Sequence, residues 1–381
     1  MPIDDADGGC DDTPACAQGN PWRGQVAALE IQAQDVISDS GEEIHNVLQQ
    51  RGIQNALIMG VHANMCVLGR PFAIRALVGL GKDVLLLRDL TDTMYNSRRR
   101  PFVNHFAGTD LVVGHIEKHW CPSITSADFL GGEPFRFQAD QRRTIVMVLG
   151  ESEYHTAETL PAFAEEALYI HGLRVEYVTA TTRDDDYQFQ NIRALQNADL
   201  VLVSARRRAM PVAMRESLQR HWEAGRPIVG LRTASHAFAL RGEARTPLAA
   251  KGLADWPEFD AQVLGGHYTG HYQAGPKTTV RAATGAVAHP ILRGIDDAGW
   301  TSSASLYKSG PLAPTAQPLL VGTLPGQPGE PVAWVNRAGP RPARVFHTSL
   351  GHPDDFRQPQ FRQLLAQGIL WAVEAPEENR R

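Results

Sequence analysis

Short apolar runs alternate with amphipathic stretches along the chain and predict parallel α/β structure in both halves. Ala56-Leu57-Ile58-Met59 is closed by Gly60 and is too short for a helix, so it reads as a buried parallel strand, with Cys66 six residues beyond the glycine. Upstream, Ile44, Val47 and Leu48 share one face of a helix over Gly41 to Arg51 that packs on the sheet. Downstream, a helix carries Phe72, Ala73, Ala76 and Leu77, and Asp83 to Leu87 forms the next strand. Residues 95–110 look irregular, Leu111-Val112-Val113 starts another short strand, and a helix over Ile116 to Trp120 leads to a boundary at Gly131, Gly132 and Pro134.

The second half repeats the pattern more regularly. Arg143 to Gly150, Arg174 to Val178, Asp199 to Ser204 and Arg226 to Leu231 read as strands. Helices over Pro161 to Leu168, after the Asp184-Asp185-Asp186 turn, and over Val212 to Glu223 fall between them. This βαβαβαβ order predicts a doubly wound sheet. The expected division is residues 1–140 and 141–381.

Composition narrows the functions. The 381 residues carry a formal charge of −5, so no basic surplus points to nucleic acid, and Arg98 to Arg100 and Arg206 to Arg208 read as solvated faces. No apolar run is long enough for a membrane span, and the acidic N-terminus is unlike a signal peptide. Met1 to Arg23 reads as loop. Cys10 and Cys16 match no strong zinc spacing, and no cysteine follows Cys121, which removes thiol nucleophiles from the second half.

Candidate chemistry falls at strand ends. Cys66 sits where a strand, a turn and a helix start meet, with Pro71 suited to the first helical turn, so helix dipole and free amides would favour a thiolate. A small buried apolar role explains the same cysteine. Asp89 and Asp92 close the next strand, as site residues or as turn carboxylates. In the second half Glu151, Glu153 and Tyr154 follow the first strand, Arg206 and Arg207 the third, and Arg232 and His236 the fourth. All emerge at the carboxyl edge, with His267, His271, Tyr307 and His352 on later loops that close over it. Structural hydrogen bonds account for each histidine as well. His267 and His271 are spaced H-x3-H, but the glycine between them argues against a helical zinc site, so neither metal nor cofactor is expected.

Two resemblances add to this reading. GVHANMCVLGRPFAI followed by GKDVLLLRDLTDT resembles the nucleophile segment of isochorismatase-like cysteine hydrolases, which implies Cys66 as nucleophile, Val61 and His62 in an oxyanion turn and a cis peptide between those two residues. The family's aspartate and lysine have no counterpart here. Only 65 residues precede Cys66, the lysine position falls near Ser38 and Asp39, and Lys82 is the first lysine, so this half looks like the back part of such a domain.

From about 143 to 374 the segments VSARRRAMP, VGLRTASHAF, VLGGHYTGH, AHPILRGI, PVAWV and RVFHTSLGHPDDFRQPQFRQLLAQGILWAV resemble the trehalose-utilisation, or ThuA-like, family. The implied fold is flavodoxin-like or class I glutamine amidotransferase-like, with Arg232 where the amidotransferase elbow carries its cysteine. The resemblance implies a small polar partner, a sugar or keto-sugar. Two classes of function stay open: a sugar-related enzyme working through the second domain, and a non-catalytic binding or scaffold protein with a remnant hydrolase half. Amide or ester hydrolysis by Cys66 would require a longer N-terminus. Homo-oligomerisation is left open.

Overall fold

A computed structural model describes residues 3–4, 6, 8–14, 24–181, 187–241, 248–296 and 298–374. Cys16 and the Asp184-Asp185-Asp186 turn lie outside the described residues. The chain divides into two compact units, Met1–Gln141 and Arg142–Arg381.

The first unit is a three-stranded parallel sheet, β1 (Asn55–Val61), β2 (Asp83–Asp92) and β3 (Ser123–Ile124), in that order. Its helices are α1 (Gly41–Gln50), α2 (Cys66–Gly69), α3 (Ile74–Gly79), α4 (His105–His119) and α5 (Ala127–Leu130). Ala56, Ile58, Val84 and Leu86 meet Ile74, Leu77, Val112 and Ile116 in one apolar core. The opposite face of β1 is bare, with Leu57, Met59 and Val61 at 45%, 58% and 55% exposure. A strand buried on both faces was therefore the wrong expectation for this sheet, which has its core on one side.

Two further expectations are corrected. Leu111-Val112-Val113 is not a strand but the middle of α4, whose first turn is capped by Asn104 accepting from the Ala107 amide at 2.9 Å. The β-branched pair suggested a strand, but Thr109, Val112 and Ile116, at i, i+3 and i+7, share a helical face, and burying that face decides the outcome. Pro71 does not start a helix. It lies in the turn between the single-turn α2 and α3, because the chain leaves helical geometry at Arg70.

The second unit is built on one ten-stranded mixed sheet. Its elements run β4 (Arg143–Gly150), α6 (Thr156–Ala167), β5 (Leu173–Ala180), β6 (Phe189–Gln190), β7 (Leu200–Ala205), β8 (Met210–Pro211), α7 (Val212–Glu223), β9 (Ile228–Leu231), β10 (Leu253–Ala254), β11 (Gly270–His271), β12 (Thr278–Ala282), β13 (Trp300–Ser302), β14 (Tyr307–Lys308), β15 (Gln317–Thr323), β16 (Glu330–Ala338), β17 (Ala343–Thr348) and α8 (Pro359–Val373). The strands β5-β4-β7-β9-β17 are parallel neighbours, the doubly wound order expected, with the reversal between β4 and β7. Beyond β17 the sheet continues through antiparallel β16, β15, β12 and β13, so it is mixed rather than purely parallel.

Fully apolar strands sustain burial on both faces: β4 and β7 are buried from Thr144 to Gly150 and from Leu200 to Ala205. Met214 and Leu218 of α7 join Val201, Val203 and Val263 in one layer. Phe163 of α6 and Phe361 of α8 both pack edge-on against Phe356.

Candidate functional site

The parallel strands deliver Glu151, Arg206, Arg232 and Ser349 to one edge, directly after β4, β7, β9 and β17. Two of the loops there are tied together by backbone. The Arg207 amide donates to the His236 carbonyl at 3.0 Å and the Arg208 amide to the Ala237 carbonyl at 2.8 Å. Arg207 and Arg232 both have φ of 48°, left-handed geometry that residues with a Cβ rarely adopt and that concentrates at functional sites.

A pocket of about 180 Å³ opens here, lined by Arg207, Ser235, His236, Asp260, His267 and Tyr268 among others. Arg207 is half-buried and donates from Nη1 to the Ala239 carbonyl at 3.0 Å. The His236 ring stacks on Tyr268, centroids 4.4 Å apart and planes 19° apart. Burial, reinforced by the charges of Arg207, Arg206, Arg232 and Arg241, holds the His236 imidazole far down, to about 2, so it is neutral. Burial also raises the Tyr268 phenol, leaving it a protonated donor.

Asp260 opens a short π-helical turn, Asp260–Leu264, that feeds directly into the Tyr268 loop. Its Oδ2 accepts the Tyr268 amide at 2.7 Å, while Oδ1 is buried and has no hydrogen-bond partner. A Cβ at position 266 would fall 2.6 Å from Oδ1, so this close approach needs glycine. Burial pushes the carboxyl up to about 7, against the opposing Tyr268 amide. Nothing in the sequence had singled out Asp260. The one available signal was its position seven residues before His267, at the start of the run that leads into GGHYTGH.

Of the residues expected at the edge, Arg207, His236 and His267 line this pocket and the others have different surroundings. Arg232 is 1% exposed and its guanidinium lies between Tyr154 and Tyr307, 4.6 and 4.0 Å from the ring centroids. It donates to the Ser305 and Ser349 carbonyls, to Ser305 Oγ and to Tyr154 Oη. Tyr307 continues the stack to Tyr268 at 4.8 Å, so Arg232 supports the pocket wall from behind. Glu151 accepts from the Tyr154 and Thr156 amides and caps α6. Arg206 pairs with Glu153 at 2.6 Å on the surface. His271 is exposed, with Nδ1 2.9 Å from the Tyr272 carbonyl oxygen. His352 lies 3.5 Å from Asp354, and its loop is held by Asp355, which accepts the Gly351 and His352 amides.

In the first unit Cys66 is half-buried and opens α2, a single turn with little aligned dipole to act on a thiol. The Val61–His62 peptide is cis. Lys82 is 8% exposed and donates to the Ile53 carbonyl, and Asp89 accepts from the Ser126 and Phe135 amides, so both are structural. Asp92 faces His105 Nε2 at 2.8 Å and accepts from Thr109 at 2.9 Å. Burial raises the Asp92 carboxyl, but the His105 contact and these hydrogen bonds outweigh it and leave it lowered, while the Asp92 hydrogen bond raises His105. Among the described residues no group of His, Cys, Asp or Glu could hold a metal ion, and no helix is long and apolar enough to cross a membrane.

The sequence pattern of a family described as "ThuA: Trehalose utilisation" matches residues 145–372, more than half of the chain. No curated protein sequence matches. Among solved structures, a ThuA-like protein from Bacteroides uniformis is 16% identical, with a TM-score of 0.47, covering 65% of this chain and 98% of its own. A ThuA-like protein from Parabacteroides merdae is 15% identical, with a TM-score of 0.42, covering 62% and 94%. A β-galactosidase from Rahnella sp. R3 is 15% identical, with a TM-score of 0.39, covering 62% of this chain and 33% of its own.

Proposed function

Because the chain belongs to the ThuA, or trehalose utilisation, family across residues 145–372, we propose that its second unit binds and acts on a sugar or keto-sugar in the pocket of Arg207, His236, Asp260, His267 and Tyr268. The observation that carries the reading is Asp260: a carboxyl with one unpartnered buried oxygen, held by burial near neutrality, at a pocket whose other polar side chains are Arg207, Ser235, His236, His267 and Tyr268. A carboxyl poised near the working pH can give or take a hydroxyl proton. Neutral His236 and the Tyr268 phenol supply directional hydrogen bonds suited to hydroxyls. The volume suits one small ring rather than a longer saccharide.

Calorimetric titration of the full chain with monosaccharides and their keto derivatives tests this. Binding is expected, and Asp260→Asn should spare most affinity while abolishing any turnover. Unchanged turnover in that variant would refute the acid/base role.

For the first unit we propose the reading of an isochorismatase-like hydrolase fold without turnover. Support comes from the parallel sheet with Cys66 at the bend after β1. Among the described residues no hydrogen bond joins the Cys66 thiol to a base or lysine, and Asp92, in register with Val61, is engaged by His105 and Thr109.

A further inference from the structure

We propose that the ligand of this pocket is an anionic sugar whose oxyanion is held by the Arg207 guanidinium. This rests on the sugar-site reading above and specifies its substrate class. Four arginines, Arg206, Arg207, Arg232 and Arg241, act together on His236. Of these, Arg206 has its counter-ion in Glu153 at 2.6 Å. Among the described residues no carboxylate lies within ion-pair distance of Arg207, Arg232 or Arg241. The carboxyl at the pocket, Asp260, makes no ion pair with Arg207, and burial raises it to about 7, so it offsets the arginine charge only in part near neutral pH.

Arg207 itself feels the imbalance: burial and the charges of Arg241 and Arg206 lower it from its ordinary value. A half-buried guanidinium without a counter-ion is costly to maintain, and an arriving oxyanion removes much of that cost. One N–H of Arg207 is committed to the Ala239 carbonyl, and the rest of the planar fork matches a carboxylate or phosphate. Its left-handed backbone and the bond from its amide to the His236 carbonyl fix the arginine against the pocket. Asp260 and Tyr268 line the same pocket and supply hydroxyl-binding groups for a polyol ring attached to the oxyanion.

The test is calorimetry on the full chain with D-glucuronate, glucose 6-phosphate, D-glucose and inorganic phosphate. At least one charged sugar should bind about tenfold or more tightly than D-glucose, with affinity falling as salt rises. Glucuronate against glucose 6-phosphate shows which oxyanion fits. Arg207→Gln should reduce the charged sugar to the level of glucose, and Arg207→Lys should fall between, with circular dichroism confirming that both variants are folded. If D-glucose binds as tightly as both charged sugars, the charge assignment fails while the sugar site stands. Inorganic phosphate binding as tightly as the sugar phosphate also overturns it, since the sugar then contributes nothing. Absence of binding by every sugar removes both readings.

Discussion

The ring of His236 stacks on that of Tyr268 at 4.4 Å, and the Tyr268 amide donates to Asp260 Oδ2 at 2.7 Å. One short loop thus sets both a neutral imidazole and a carboxyl poised near neutrality at the same pocket. Tyr268→Ala removes the stacked ring but keeps the amide. Sugar affinity should fall about tenfold, while the Asp260 titration stays near its present position. Calorimetry and the infrared carboxyl band report the two quantities separately, and a large downward move of the carboxyl would show that burial by this ring, not the loop, sets it.

Arg232 is expected to matter for stability before ligand. Replacing it by alanine leaves the Ser305 and Ser349 carbonyls buried without a donor and strips the cation from between Tyr154 and Tyr307. The loss should be about 3–5 kcal/mol in urea unfolding. Unchanged stability together with lost sugar binding would make it a ligand residue instead.

Acid should destabilise the second unit. Burial depresses His221 to about 4, His236 to about 2 and His347 to about 3 in the folded state. Between those values and about 6.5 the unfolded chain binds more protons, so stability is full above about pH 6.5 and is lost as pH falls through that window. Asp260 acts oppositely: its raised carboxyl contributes stability at low pH that is lost as pH rises through about 7. Three histidines outweigh one carboxyl, so the urea midpoint should drop from pH 6.5 to pH 5. Asp260→Asn should remove that opposing slope and so steepen the drop between pH 6.5 and pH 5.

Cys66→Ala should leave both stability and any sugar-dependent activity unchanged, since the thiol is half-buried and starts a single turn of helix. Hydrolysis of amides or esters by the purified chain that disappears in this variant would restore the cysteine as a working nucleophile.

Much of the fold is legible in the sequence where burial is two-sided. Leu200 to Ala205 and Val212 to Glu223 fold as their patterns indicate, because an apolar run and an amphipathic face each have one favourable partner layer. Leu111-Val112-Val113 misleads because a short β-branched run fits either element until Asn104 caps a helix. Arg207, His236 and His267 could be placed by connectivity alone, as residues after parallel strands or on the loops above them. Asp260 could not, because its importance comes from burial and a missing partner, neither of which a residue's identity reveals.

The most direct measurement is a structure of the full chain with the tightest-binding monosaccharide of the panel. The account predicts one ligand bounded by Arg207, His236, Asp260, His267 and Tyr268, with a hydroxyl hydrogen-bonded to the Asp260 carboxyl. A sugar bound elsewhere on the chain, with this pocket holding only water, would contradict it.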